Sequence, residues 1–207
     1  MEIRTLPVGE LQTNCYIAFE ADKQAVVIDP GDEAARILAA ARDEAVTIVH
    51  ILLTHVHVDH MLAVRELQEA TGADLLVPAE DEDALTNGAR SLLAYFRPGL
   101  RCPLKADRLL RDGDEVHAGA LTLRAVHTPG HTPGSACYVG DGVIFSGDTI
   151  FAGSYGRTDF PGGDFGALVC SAERLAALPG DYTLYPGHGG STTLELERRR
   201  NPLLNPN

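Results

Sequence analysis

The run VTIVHILLT, residues 46–54, restricts most what this chain can become. It is almost continuously apolar and rich in β-branched residues, as expected of a strand buried on both faces. Such a strand needs a layer on each side, which points to a layered α/β architecture. The run leads straight into HVHVDHM, so that three histidines and an aspartate fall within residues 55–60. Divalent ions such as Zn²⁺ and Fe²⁺ accept imidazole nitrogen and carboxylate oxygen. His55 and His57 lie two apart, and on an extended segment or tight turn their rings point the same way. Asp59 and His60 open the next helix and face the same space from the other side. The bland alternative, a hydrophilic loop with chance histidines, leaves this spacing unexplained.

Around that strand, apolar runs alternate with turn signals and amphipathic stretches. NCYIAFE and QAVVIDPGD read as strands, the second ended by Pro30-Gly31. Asp32 is placed to cap a helix over EAARILAAARDE, where Ile37, Leu38 and Ala41 recur at helical spacing. MLAVRELQEATG reads as a helix closed by Gly72, ADLLVP as a short strand, residues 80–97 as helix and residues 98–108 as loop. In the second half DEVHAG, LTLRAVHT, SACYVG and GVIFSGD are strands between Gly-rich turns. DFGALVCSAERLAAL is a helix capped by Asp164, YTLYPG is a last strand, and a short helix starts near Thr192. No linker divides the chain, so one domain over residues 1–207 is expected, with two sheets face to face and helices outside.

The formal net charge of -12 argues against a nonspecific grip on nucleic acid, which needs a basic face. Cys15, Cys102, Cys137 and Cys170 form no CxxC pair, which fits reduced, mostly buried thiols; Cys15 has no evident base partner for a nucleophilic role. The start MEIRTLPVGE lacks the basic and apolar regions of a signal peptide, and no apolar run is long enough to cross a bilayer. A cytoplasmic protein with no membrane partner is expected; the number of subunits is left open.

Four ligands on one turn can serve two ions but cannot complete both shells. VHTPGHTPGS places His131 in a turn after a strand, IFSGDT places Asp148 at a strand end, and LYPGHGG places His188 in the same context. All three are strand-end loops, where sites on layered α/β scaffolds gather. Singly, each could be a turn residue or helix cap; together, after apolar strands, they point to the same site. His50, His117 and His127 lie inside or beside strands and read as packed or surface histidines.

THVHVDH, GHTPGS, SGDT and PGHG, in this order and at these separations, resemble the metallo-β-lactamase superfamily over nearly the whole chain. FAGSYGRTDFPGGD and the ending STTLELERRRNPLL are most similar to the short bacterial relatives of glyoxalase II, the hydroxyacylglutathione hydrolases. The resemblance implies a four-layer αββα sandwich with a two-metal site, zinc or iron, on one edge. It implies that His55, His57 and His131 hold one ion, that Asp59, His60 and His188 hold the other, and that Asp148 bridges them. The implied reaction is hydrolysis of a small-molecule thioester, such as S-lactoylglutathione, by a hydroxide shared between the ions, with Asp59 helping to orient it. Asp29, at the end of VVIDPGD, is a candidate acceptor for a ligand imidazole or else a turn cap.

In YGRTDFP, Tyr155, Arg157 and Asp159 are placed to border the pocket. Arg157 would either bind a substrate carboxylate or pair with Asp159 and stiffen the loop. Two departures stand out. The glyoxalase II pattern continues THxHxDHxGG, whereas Met61-Leu62-Ala63 follow His60 here, which implies altered helix packing beside the site. The longer enzymes also carry a helical extension that grips glutathione, while this chain stops soon after His188. The thiol carrier is therefore open, and Arg97, Arg101, Lys105 and Arg108 form either a substitute grip or a solvated loop. Competing readings on the same site are a persulfide dioxygenase with a single iron, a lactonase or phosphodiesterase, and a metal-binding protein without turnover.

Overall fold

Strand residues of this chain alternate between two cores, and that alternation explains the architecture. The computed structural model describes residues 1–100 and 103–205, so Arg101 and Cys102 lie outside the described residues. The first sheet has the order β1 (Glu2–Val8), β2 (Thr13–Phe19), β3 (Gln24–Ile28), β4 (Thr47–Leu52), β5 (Asp74–Pro78), β6 (Arg108–Leu110). Its first three strands pair antiparallel, and β3 to β6 run parallel. The second sheet has the order β12 (Thr192–Thr193), β11 (Thr183–Pro186), β10 (Val143–Gly147), β9 (Ala136–Gly140), β8 (Leu121–His127), β7 (Glu115–Ala118). It is antiparallel except for the β10–β11 pair.

Tyr16, Ala18, Val26, Ile28 and Leu52 of the first sheet pack against Val116, Leu123, Tyr138 and Phe145 of the second. Their neighbours Cys15, Ile17, Phe19, Val27 and Ile51 turn outward, onto helices α1 (Ala34–Asp43) and α3 (Val64–Thr71). On the far side Cys137, Val139, Ile144 and Leu184 meet α5 (Phe165–Ala176) and α6 (Leu194–Arg200). The four layers are the αββα sandwich that the resemblance implied. No helix among the described residues is long and apolar enough to cross a membrane.

Several local expectations are corrected. Residues 80–97 are not one helix. A 3₁₀ helix (Ala79–Leu85) is followed by a turn and by the short α4 (Leu93–Phe96). The Asn87 side chain accepts from the backbone of Ala89 and Arg90, a turn that competes with helix. Asp32 does not cap α1. Its carboxylate binds the N–H of Glu33, which sits in the left-handed region, and α1 has no side-chain cap. The helix after the histidine cluster is split into α2 (Val58–Met61) and α3, although Gly72 closes α3 at a positive φ of 71°, as expected. Residues 1–10 hold an edge strand, β1, in which Pro7 and two charged residues hide the alternation. Asp164 caps α5 through the Ala167 N–H at 3.0 Å, and Thr193 caps α6 through Leu196.

Two buried tyrosines join the sheets at the end where the ligand candidates lie. Tyr138 of β9 donates to the carbonyl of Leu53, just past β4, at 2.6 Å, and Tyr16 of β2 donates to that of Pro186, at the end of β11, also at 2.6 Å. Removing the Tyr138 hydroxyl leaves a buried carbonyl unpaired, which costs about 1–3 kcal/mol. Tyr138→Phe is expected to lower the urea midpoint accordingly with an unchanged m-value; an unaltered midpoint would refute the role of this bond.

Candidate metal centre

Every ligand candidate lies just beyond the C-terminal end of a strand. His55 and His57 follow β4, with Asp59 and His60 on α2; His131 follows β8, Asp148 follows β10 and His188 follows β11. The two sheets are stitched together at this edge by backbone bonds from Ala136 N to Thr54 O and from Asn14 N to Gly187 O, both 2.8 Å. That junction brings all seven side chains into one place. Nitrogens of His55, His57 and His131 lie within 4.8 Å of one another, and so do the ligand atoms of Asp59, His60 and His188. Asp148 stands between the trios, with Oδ1 3.6 Å from His60 Nε2 and Oδ2 3.5 Å from His131 and 3.7 Å from His188. His50, His117 and His127 stay outside the cluster: His50 reaches the carbonyl of His117 and His127 that of Pro133.

Most of the rings are oriented by a partner on their outer nitrogen. His131 Nδ1 donates to the carbonyl of Arg157 at 2.6 Å, and His188 Nδ1 to that of Leu11 at 3.2 Å. His55 Nδ1 meets Thr54 Oγ1 at 3.0 Å; that hydroxyl gives its own proton to Asp29 at 2.7 Å, so the imidazole is the donor. His60 Nδ1 lies 3.0 Å from the same Asp29 oxygen, Oδ2, as a charge pair. Each of these four rings therefore turns its Nε2 inward. His57 differs: its Nδ1 is the nitrogen that turns inward, 2.9 Å from His131 Nε2. The inner nitrogens of His55 and His60 and Asp148 Oδ1 are buried without a hydrogen-bond partner. Buried polar atoms are rarely left so, and this donor set fits divalent metal.

Charge in the cluster is divided in the same way. Burial, then the neighbouring imidazoles, push His55 and His57 well below the usual histidine range, so both are neutral at pH 7. Burial also opposes a charge on His60, but Asp59, Asp29 and Asp148 outweigh it and raise the imidazole to about 10. His188 is raised too, with burial outweighed by Asp59 and Asp148. Burial would raise the Asp59 carboxyl, yet His60, His188 and the Thr13 hydroxyl hold it below the usual range.

The cluster forms the floor of a cleft of about 500 Å³, bordered by Leu11, Leu92, Phe96, Phe151, Tyr155 and Phe160. Tyr155 and Arg157 both line it. The Arg157 guanidinium makes two bonds of 2.6 Å to Asp159 and lies 4.1 Å over the Phe160 ring. Of its two sequence readings, the geometry has the pair with Asp159.

The metallo-beta-lactamase superfamily profile matches residues 8–188. The chain belongs to the metallo-β-lactamase superfamily. It is 33% identical to the hydroxyacylglutathione hydrolase GloC of Haemophilus influenzae over 99% of each chain. The fold superposes on the crystal structure of the BLEG-1 B3 metallo-beta-lactamase with a TM-score of 0.92, 34% identity and coverage of 98% of this chain and 99% of that one. On TTHA1623 in a di-iron-bound form the TM-score is 0.87, with 36% identity over 97% of this chain and 100% of that one.

In this member of the superfamily, residues without any motif hold the site together. Asp29, the candidate ring acceptor, also takes the Thr54 N–H at 2.7 Å, and it adopts a positive φ of 51° to do so. Asp81 is buried and accepts from Val56 N, Thr132 Oγ1 and Gly134 N, which bolts the His55–His57 loop to the His131 loop. Thr54 and Asp81 escaped sequence reasoning. Thr54 is the last residue of an apolar run, and Asp81 is one of four acidic residues in AEDED and its surroundings. Only its burial singles it out. Gly187 is required sterically, since a Cβ there would come 2.1 Å from Asp148 Oδ1.

Two outcomes are expected. Asp81→Asn keeps the size but replaces a carboxylate that takes three donors with a group offering one acceptor oxygen. It should weaken metal binding roughly 10–100-fold in competition with a chromophoric chelator; unchanged affinity would remove Asp81 from the support of the site. A ligand imidazole must also shed its inner proton. Because His60 in the metal-free protein titrates at about 10, adding Zn²⁺ at pH 7.5 should release at least one proton per chain. An indicator dye in weak buffer reads this directly, and no release would contradict the assigned charge.

Proposed function

We propose that this chain is a thioester hydrolase of the hydroxyacylglutathione hydrolase type, working with two divalent cations, zinc or iron. The observation that carries the reading is the pair of ligand trios with Asp148 between them. His55, His57 and His131 would hold one cation and Asp59, His60 and His188 the other, with Asp148 placed to serve either. The kinship with GloC over the full length of both chains supports the thioester class. Two such cations supply a water of lowered pKa and polarise a carbonyl oxygen.

The remaining work falls to the chain's own residues. Asp59 borders the cleft, still accepts from Thr13 at 2.9 Å, and orients the attacking water. His131 and His188 keep their geometry through backbone acceptors, so the cluster need not reorganise as charge develops. Attack on the thioester carbon breaks the C–S bond, giving a carboxylic acid and a thiol. A thiolate is stable enough near neutral pH to depart with little help from a side-chain acid. Cys15 takes no part as a nucleophile; burial pushes its thiol well above the usual range.

Metal quantification on the purified protein, with turnover of S-lactoylglutathione, other acyl thioesters, a lactone and glutathione persulfide, tests the reading. Two equivalents of metal, thioester hydrolysis lost on chelation and regained on reloading, and a drop of at least 100-fold for Asp59→Ala are expected. One equivalent of iron with oxygen uptake on the persulfide, or full activity and full metal content in Asp59→Ala, would overturn it.

A further inference from the structure

The walls of the cleft differ sharply from its floor. Phe160 stands edge-on to His57 at 6.0 Å between ring centroids, and Phe151 stands edge-on to His188 at the same distance. One phenyl ring thus flanks each ligand trio. Leu11 and Phe96 close the rim and are 52% and 45% exposed, so the mouth of the cleft presents apolar surface. Leu92 is held in the left-handed region, at φ 63°, while its side chain is buried against the cleft wall with Val58 and Phe160. A non-glycine residue there is strained, and such strain tends to persist where a site needs it. Beside Asp59 the cleft continues into a groove walled by Val8, Leu62 and Phe96, and Leu62 stands where the glyoxalase II pattern has glycine.

Among the described residues, the two guanidinium groups lining this opening already have partners. Arg157 is forked onto Asp159, and Arg97 reaches Glu10 at 3.4 Å and the carbonyl of Phe96 at 3.3 Å. Glu10 and Asp32 border the groove as well, so an incoming carboxylate meets cations that have partners and an acidic rim.

Resting on the thioester reading above, we infer that the preferred substrate is an apolar acyl thioester of an uncharged thiol rather than a thioester of an anionic peptide thiol. The acyl chain lies against Phe96, Leu11 and the phenyl rings, and the carbonyl sits over the ligand cluster. Each methylene buried on such a wall raises kcat/KM by up to about fourfold. Anionic carriers gain nothing from Arg157 while Asp159 holds it.

The test uses the metal-loaded full chain with acetyl, butyryl and hexanoyl thioesters of N-acetylcysteamine, beside S-lactoylglutathione and S-hexanoylglutathione. A two- to fourfold rise per methylene is expected, with the hexanoyl N-acetylcysteamine thioester at least tenfold above S-lactoylglutathione and above its glutathione counterpart. Leu11→Ala, at an exposed position that cannot disturb the core, should flatten the rise through KM. Asp159→Asn should free the Arg157 fork and lower KM for both glutathione thioesters several-fold. Calorimetry with the thioethers S-hexyl-N-acetylcysteamine and S-hexylglutathione reads the same preference without turnover. A flat chain-length series, or tighter binding of the glutathione compounds, overturns the inference. If no thioester is hydrolysed but the thioethers show the expected preference, the thioester reading fails and the apolar preference stands.

Discussion

The carboxylate of Asp29 is the constraint on which the rest of the site depends. At the end of β3 it takes the N–H and hydroxyl of Thr54, just past β4, and faces the outer nitrogen of His60 on α2. Through Thr54 it also sets which nitrogen of His55 carries the proton. A single buried acid thus ties two parallel strands to the helix that follows them and orients a ring in each ligand trio. Buried carboxylates are tolerated when every oxygen is engaged, and here the partners are the site itself.

The sandwich supplies the other half of the geometry. Tyr16, Tyr138 and Phe145 fill the space between the sheets, and the tyrosine hydroxyls reach the last residue of β11 and the residue just past β4. The sheets are therefore held in register at the edge where His55, His131, Asp148 and His188 emerge. Short strand-end loops on a packed scaffold leave the side chains little freedom, which suits a cluster whose charges must stay in place during reaction. Above this polar floor the cleft is apolar, and Arg157 and Arg97 at its rim pair with Asp159 and Glu10.

Much of this was legible along the chain. The buried strand at 46–54, the helices capped by Asp164 and closed by Gly72, and the seven clustered ligand types all carry local signals of spacing, turn chemistry or capping. Where sequence reasoning failed, a distant partner had overridden a local preference. Residues 80–97 contain good helix formers, but Asn87 binds its own backbone and Asp81 is drawn inward to serve two loops. Asp32 has the right type for a cap, yet Glu33 turns left-handed and gives its carboxylate to Gly9 instead. β1 lacks clear alternation because an edge strand needs only one paired neighbour and tolerates Pro7.

By itself the sequence determined the residue types: which histidines and carboxylates stand at strand ends, and that apolar runs between them must be covered on both sides. Only the tertiary structure decided which of those groups meet, because their separation along the chain, from Asp29 to His188, says nothing about distance until two sheets close on one another. It also decided the tautomers of the rings, the pairing of Arg157 with Asp159 and the apolar walls of the cleft. Each of these depends on atoms that come together only when burial forces every polar group to find a partner in space rather than along the chain.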